Sequence, residues 1–236
     1  MTPHDPKNGA TMAERPFVLL SVATSIDGYI DDASAERLLL SNAADFDRVD
    51  RVRAESDAIL VGGNTLRSDN PRLLVNSEQR RAARVAAGRP AYPLKVTVTA
   101  NGDLPRGLNF WHFGGEKVVY TTDAAASKLR DTLDGLAEVV ATGEAVDFGA
   151  VLDDLAGRGV RRLMVEGGGR IHTQFLAQGL ADEIQLAVAP LLVGEAGAPR
   201  FVYPAAFPGG SAHRMLLLGV ETVGDVVLLR YAPKGS

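Results

Sequence analysis

The chain contains no cysteine. Disulfides, thiol nucleophiles and cysteine-ligated metals are therefore excluded, and a disulfide-stapled secreted scaffold is not expected. Apolar runs are short; none approaches the roughly 18 residues that a membrane helix needs. There is no excess of positive charge: 25 Lys and Arg stand against 29 Asp and Glu, for a net charge of −4. A nucleic-acid partner, which would want a basic face, is not expected. The four histidines, His4, His112, His172 and His213, show no H-x-x-x-H spacing, so no metal site is predicted. No G-x-S-x-G stretch occurs, which leaves a hydrolase elbow unsupported. The opening MTPHDPKNGATMAERP has no apolar core of signal-peptide type. Residues 1–14 read as a disordered tail, residues 15–236 as one domain, and the cytoplasm as the compartment.

What is present is a strand–helix rhythm. FVLLSVA (Phe17–Ala23) and AILVGG (Ala58–Gly63) are apolar runs of strand length, as in strands buried on both faces. Asn42 is placed to cap a helix over Ala43–Glu55, with Phe46, Val49 and Val52 as its apolar stripe. Helices are predicted over 76–87, 124–133, 148–158 and from the Gly-rich segment to about Gln178. Strands are predicted over 95–99, 117–121, 138–141, 162–165 and 183–189. Two further strands, 215–223 and 226–231, flank Gly224-Asp225 as a hairpin. Residues 101–115 carry several breakers and read as loop; Trp111 within it either covers a ligand or anchors the loop. This alternation implies a mostly parallel sheet covered by helices, with a C-terminal antiparallel hairpin.

The stretch LMVEGGGRIHTQFL (Leu163–Leu176) carries the chemistry. A buried strand delivers Glu166, and Gly167, Gly168 and Gly169 then open a helix. Ligands of open α/β sheets sit beyond the strands' carboxyl ends. Uncovered N–H groups at a helix start attract phosphate, and glycines let it come close. The other reading is a tight strand-to-helix turn. Glu166 either caps that helix or accepts two hydrogen bonds from an amidine-like edge such as a 2-aminopyrimidinone. Arg53 lies four residues after Val49 on the apolar stripe, where it serves a ligand or the helix dipole.

Three blocks, SIDGYIDD, RAESDAILVGGNTLRSDNPRL and VEGGGRIHTQFLAQGLADEIQLAVAPLLVG, resemble the pyrimidine reductase family of riboflavin biosynthesis. This is the C-terminal reductase domain of RibD-type proteins. The resemblance spans about residues 17–231 and implies a dihydrofolate-reductase-like three-layer α/β fold. It implies NADPH as cofactor and a 5-amino-6-(5-phosphoribosylamino)uracil-type substrate, with hydride going to C1′ of the ring-opened sugar. It places Ala23, Thr65, Asp69 and the segment Gly167, Gly168, Gly169, Arg170, Ile171, His172, Thr173 and Gln174 at the cofactor. Arg53, Leu73 and Glu166 fall at the substrate, with Glu166 also a catalytic candidate. Asp27 is either a catalytic neighbour of the nicotinamide or only a turn residue, and Asp69 either a cofactor contact or an Asx turn before Pro71. His172 either touches cofactor phosphate or is a solvated helix residue. The resemblance also implies a homodimer, through the last strands or the Leu216–Leu218 region.

Two family cations are replaced, by Tyr29 and Asn76; Arg37 and Arg72 are the candidates to compensate. The zinc deaminase that accompanies this domain in bifunctional relatives needs a P-C-x-x-C element, which a cysteine-free chain lacks. Two other readings are a reductase of a pterin, dihydrofolate or another heterocycle, and a nucleotide-binding sensor without turnover.

Overall fold

The computed structural model describes residues 14–34 and 36–233. Apart from Glu14, the expected tail lies outside them. Among the described residues nine strands form one sheet: β1 (Phe17–Thr24), β2 (Ala58–Gly62), β3 (Leu94–Thr99), β4 (Lys117–Thr121), β5 (Glu138–Ala141), β6 (Arg162–Gly167), β7 (Glu183–Val188), β8 (Leu216–Val223) and β9 (Val226–Ala232). Their order is β5-β4-β3-β2-β6-β1-β7-β9-β8. The first seven run parallel, and β9 and β8 close one edge as the antiparallel hairpin. Among the described residues seven α-helices complete the fold: α1 (Ala43–Glu55), α2 (Gly63–Asp69), α3 (Glu78–Ala86), α4 (Asn109–His112), α5 (Asp123–Thr132), α6 (Phe148–Gly157) and α7 (Gly169–Ala177).

The period-2 alternation of the central strands builds two cores. Val18, Leu20, Leu60 and Val165 face Phe148, Leu155 and Phe175 on one side of the sheet. Ile59 and Val61 face Leu66, Phe110, Trp111 and Leu129 on the other. A run such as AILVG is apolar throughout because both of its faces meet a helix layer.

Four expectations need correction. Gly63 does not end β2; it opens α2, a helix invisible in GNTLRSD because that stretch has little apolar periodicity. The 101–115 segment is not all loop. It contains α4, whose Phe110 and Trp111 are buried edge to face, with Trp111 Nε1 donating to the Pro105 carbonyl at 2.7 Å. Trp111 is thus the loop's anchor. Helix α3 starts at Glu78, capped by Ser77, because the Asn76 and Ser77 N–H groups turn aside to the Asp50 carboxylate. In α1, Asn42 caps as expected and Val49 and Val52 pack against Leu19 and Met164 as expected, but the stripe does not extend to Phe46. Phe46 is 49% exposed, while Asp45, Arg48 and Asp50 are buried beside Val52.

Strand β8 leaves Leu216, Leu217, Leu218 and Val220 exposed at the sheet edge. None of the helices is long and apolar enough to cross a membrane, among the described residues.

Candidate active site

The carboxyl ends of β1, β2, β3 and β6 border one cleft of about 1280 Å³. That exceeds the usual ~300–1,000 Å³ of a single small-ligand pocket. Ala23, Arg37, Arg53, Thr65, Asp69, Arg72, Leu73, Glu166, Gly168, Gly169, Arg170, Ile171 and Gln174 all line it. Residues up to 151 positions apart in sequence meet there because parallel strands deliver their ends to the same side.

The glycine turn forms one wall. Gly168 precedes α7 and provides no side-chain acceptor for the first-turn N–H groups. A Cβ on Gly168 would project to 3.2 Å from Thr65 Oγ1, which puts Thr65 directly across from the turn. Gly62 allows Ile171 to seat against β2; a Cβ there would meet Ile171 at 2.8 Å.

The opposite wall is built on a fork. Arg53 Nε and Nη2 donate to the two carboxylate oxygens of Glu166 at 2.6 and 2.7 Å. Its Nη1 donates to the Leu74 carbonyl at 3.0 Å. Burial opposes the charge on Arg53, but the Glu166 carboxylate outweighs it and holds the guanidinium above its ordinary pKa. The guanidinium therefore stays charged. Glu166 does not cap α7; it spends both oxygens on Arg53.

The neighbouring loop is held from beneath by Lys95, which the sequence did not single out. Its side chain is fully buried, and Nζ donates to the carbonyls of Arg72 (2.7 Å), Phe110 (2.5 Å) and Phe113 (3.0 Å). Burial lowers its pKa to about 7, with Lys117 and Arg53 adding to the effect. Three carbonyls match the three donors of an ammonium, which ties the cleft wall at Arg72–Leu74 to α4. Leu73 sits in that wall at φ +52°, in the left-handed region.

Four expected contacts do not reach the cleft. Asp27 accepts from Ser25 Oγ at 2.6 Å and from the N–H groups of Val193 and Gly194 at 3.1 and 2.8 Å. The Ser25 hydroxyl, aided by these N–H groups, holds its pKa below the ordinary value. Asp27 thus clamps the loop after β7 and does not line the cleft. Gly167 lies within β6 at φ +116°, with the His172 ring 3.0 Å from where its Cβ would be. Thr173 Oγ1 donates to the Gly169 carbonyl and accepts from the Tyr203 N–H, so it braces the turn from behind.

His172 is neither a phosphate contact nor solvated. It is 0% exposed, packs edge-on against Phe201, and places Nε2 at 3.4 Å from the Val165 carbonyl. Desolvation pushes its pKa down to about 4, against weaker opposing pulls from the Val165 carbonyl and Glu166. In the unfolded chain it titrates near 6.5. Between these values the unfolded chain binds the proton and the folded chain does not. The resulting stability is complete above about pH 6.5 and is lost as pH falls toward 4. The expected size is on the order of 3 kcal/mol. Melting temperatures between pH 4 and 7 should show a shallower acid slope for His172→Leu than for the unaltered chain; identical slopes would refute the assignment.

Of the two lost cations, Tyr29 is buried and does not line the cleft; the Arg200 guanidinium stacks 4.2 Å from its ring centre. Asn76 does line it. Among the described residues, Arg37, Arg72 and Arg170 form no ion pair, and no group of His, Asp or Glu is arranged to hold a metal ion. Missed by sequence reasoning were Asp45, Phe46 and Arg48 as cleft residues. The spacing assigns Phe46 to the apolar stripe, and charge alone does not show that Asp45 and Arg48 turn inward.

Comparison with known proteins agrees with this architecture. The "2,5-diamino-6-ribosylamino-4(3H)-pyrimidinone 5′-phosphate reductase" of Archaeoglobus fulgidus is 38% identical over 186 residues, spanning 78% of this chain and 85% of that protein. The protein of the same name from Methanothermobacter thermautotrophicus is 33% identical, over 94% of this chain and 100% of its own length. Acinetobacter baumannii RibD superposes with a TM-score of 0.77 at 24% identity, over 94% of this chain and 59% of the larger protein, which shows the shared fold. Residues 16–229 match the RibD C-terminal domain, and the chain belongs to that family.

Proposed function

We propose that this chain is a cytoplasmic, NADPH-dependent reductase of a ribosylaminopyrimidine 5′-phosphate in riboflavin biosynthesis, with residues 15–236 as one reductase domain. The observation that carries the reading is the pairing, within one cleft, of an uncapped glycine turn with the Arg53–Glu166 fork. The names of the archaeal relatives support a 2,5-diaminopyrimidinone over the deaminated uracil form, and over a pterin substrate or a silent sensor.

The glycine turn fits a dinucleotide, because a Cβ at Gly168 would fill the space facing Thr65. When bound, NADPH supplies the hydride that adds at C1′ of the ring-opened sugar. The backbone of Gly168–Ile171 holds the pyrophosphate, with Thr65, Asp69, Gln174 and Ala23 along the cofactor. The Arg53–Glu166 fork orients the substrate against it, and Leu73 walls the reacting centre. Arg53 is committed to Glu166, so Arg37 and Arg72 are left to meet the substrate phosphate. A phosphate carries nearly two negative charges and is costly to bury without such partners.

The test is NADPH consumption by the purified chain with the ribosylaminopyrimidine, with and without its phosphate. The expected result is turnover, with kcat/KM at least about tenfold higher for the phosphorylated form, the scale of one charge-assisted hydrogen bond. Reduction of a pterin alone would overturn the reading. The same reading takes the chain as a homodimer through the exposed leucines of β8, since an apolar edge strand calls for cover.

A further inference from the structure

One of the two roles expected for Glu166 was to receive an amidine edge, but both of its oxygens are taken by Arg53. A second carboxylate lies in the same cleft. Asp45 is 0% exposed and lines the cleft. Its Oδ1 is held by Arg48 Nε at 2.7 Å, while its buried Oδ2 has no hydrogen-bond partner. A buried acceptor without a partner costs stability, so its retention calls for a ligand that completes it.

The surroundings make this a rigid, built site. Arg48 Nη1 donates to Gln185 Oε1 at 2.8 Å, and Gln185 Nε2 donates to Glu183 Oε1 at 3.0 Å. Glu183 is in turn held by Arg230 at 2.7 Å. Asp45 is therefore fixed in orientation from β7 and β9. One residue along α1, the ring of Phe46 lines the same cleft at 49% exposure. An open aromatic face beside a fixed acceptor is the combination that a flat heterocycle uses, stacking on the ring and donating from its edge. Asp45 stands eight residues before Arg53 on one helix, roughly 12 Å at 1.5 Å per residue.

We propose that Asp45 is a specificity-determining residue that reads the 2-amino group of an aminopyrimidinone, with Phe46 as its stacking platform. The proposal rests on the ribosylaminopyrimidine reading above. An amino group donates to Oδ2. The 2-oxo group of the deaminated uracil would instead set two acceptors against each other. Sites built to pair a donor reject its absence strongly.

The experiment measures kcat/KM for the 2,5-diaminopyrimidinone and the uracil substrates, with Asp45→Asn and Phe46→Ala. The unaltered chain should prefer the diamino form by at least about tenfold, the scale of a lost charged hydrogen bond. D45N, which offers an amide donor, should cut that preference by at least about tenfold. F46A should weaken both substrates and leave their ratio within about threefold. A merely structural Asp45 would scale both substrates alike, so an unchanged ratio in D45N overturns the proposal. If D45N does not fold, calorimetric binding of the two ribitylamino products to the unaltered chain decides, and equal affinities overturn it. Turnover of neither substrate by the unaltered chain would instead count against the proposed function itself.

Discussion

Arg53→Ala should lower kcat/KM by at least about 100-fold while the protein still folds. The guanidinium makes three hydrogen bonds, two to Glu166 and one to the Leu74 carbonyl. Removing it leaves the Glu166 carboxylate unpaired at a largely buried strand end and releases the loop that carries Leu73. Breaking a buried pair costs about 3–5 kcal/mol. With side chains 18% and 15% exposed, solvent screens part of this, and about 2–4 kcal/mol remains. Within the proposed mechanism much of that loss falls on substrate orientation. Arg53→Lys should recover less than a tenth of the activity, since an ammonium cannot grip both carboxylate oxygens and the carbonyl with one planar fork. Steady-state kinetics with a melting curve check this; an R53A variant within threefold of the unaltered chain would sink the assigned role.

Two adjacent glycines should fail in different ways. A Cβ on Gly169 would stand 1.9 Å from the Arg200 carbonyl oxygen, a backbone atom that cannot rotate away. Gly169→Ala must push the 199–203 segment off α7, and is expected to cost about 2–4 kcal/mol of stability. Gly168 has an ordinary φ of −76°, and a Cβ there meets only Thr65 Oγ1 at 3.2 Å and Ile30 at 3.9 Å. Gly168→Ala should therefore melt close to the unaltered chain and lose NADPH affinity by about tenfold or more, or ~1–3 kcal/mol. Thermal denaturation separates the first effect, and NADPH titration the second. Unchanged NADPH affinity in G168A would remove the glycine turn from the cofactor site.

By itself the sequence determined the layers and the order of the main elements. Strands such as FVLLSVA and AILVG, the Asn42 cap and the Gly224-Asp225 hairpin rest on local chemistry: apolar run length, capping oxygens and turn residues. Glu166 and the glycines were legible for the same reason, since strand, carboxylate and turn are contiguous. Tertiary structure decided what the polar atoms do. Arg53 and Glu166 are 113 positions apart, and only the neighbouring placement of α1 and β6 makes them a fork. In sequence Lys95 is no more than the first residue of the strand predicted over 95–99. It is a buried clamp because three loop carbonyls converge on it from segments that share no pattern with β3. His172 and Asp27 sat in the right blocks but point elsewhere, one into the core under Gly167 and the other to the loop at Val193. In α1 the apolar spacing favoured Phe46, yet Arg48 turns inward because Gln185 on β7 accepts its Nη1, and Asp45 turns inward with it as the acceptor of Arg48 Nε. Burial of a charge depends on a partner that is distant in sequence, and such a partner leaves no mark on the local pattern.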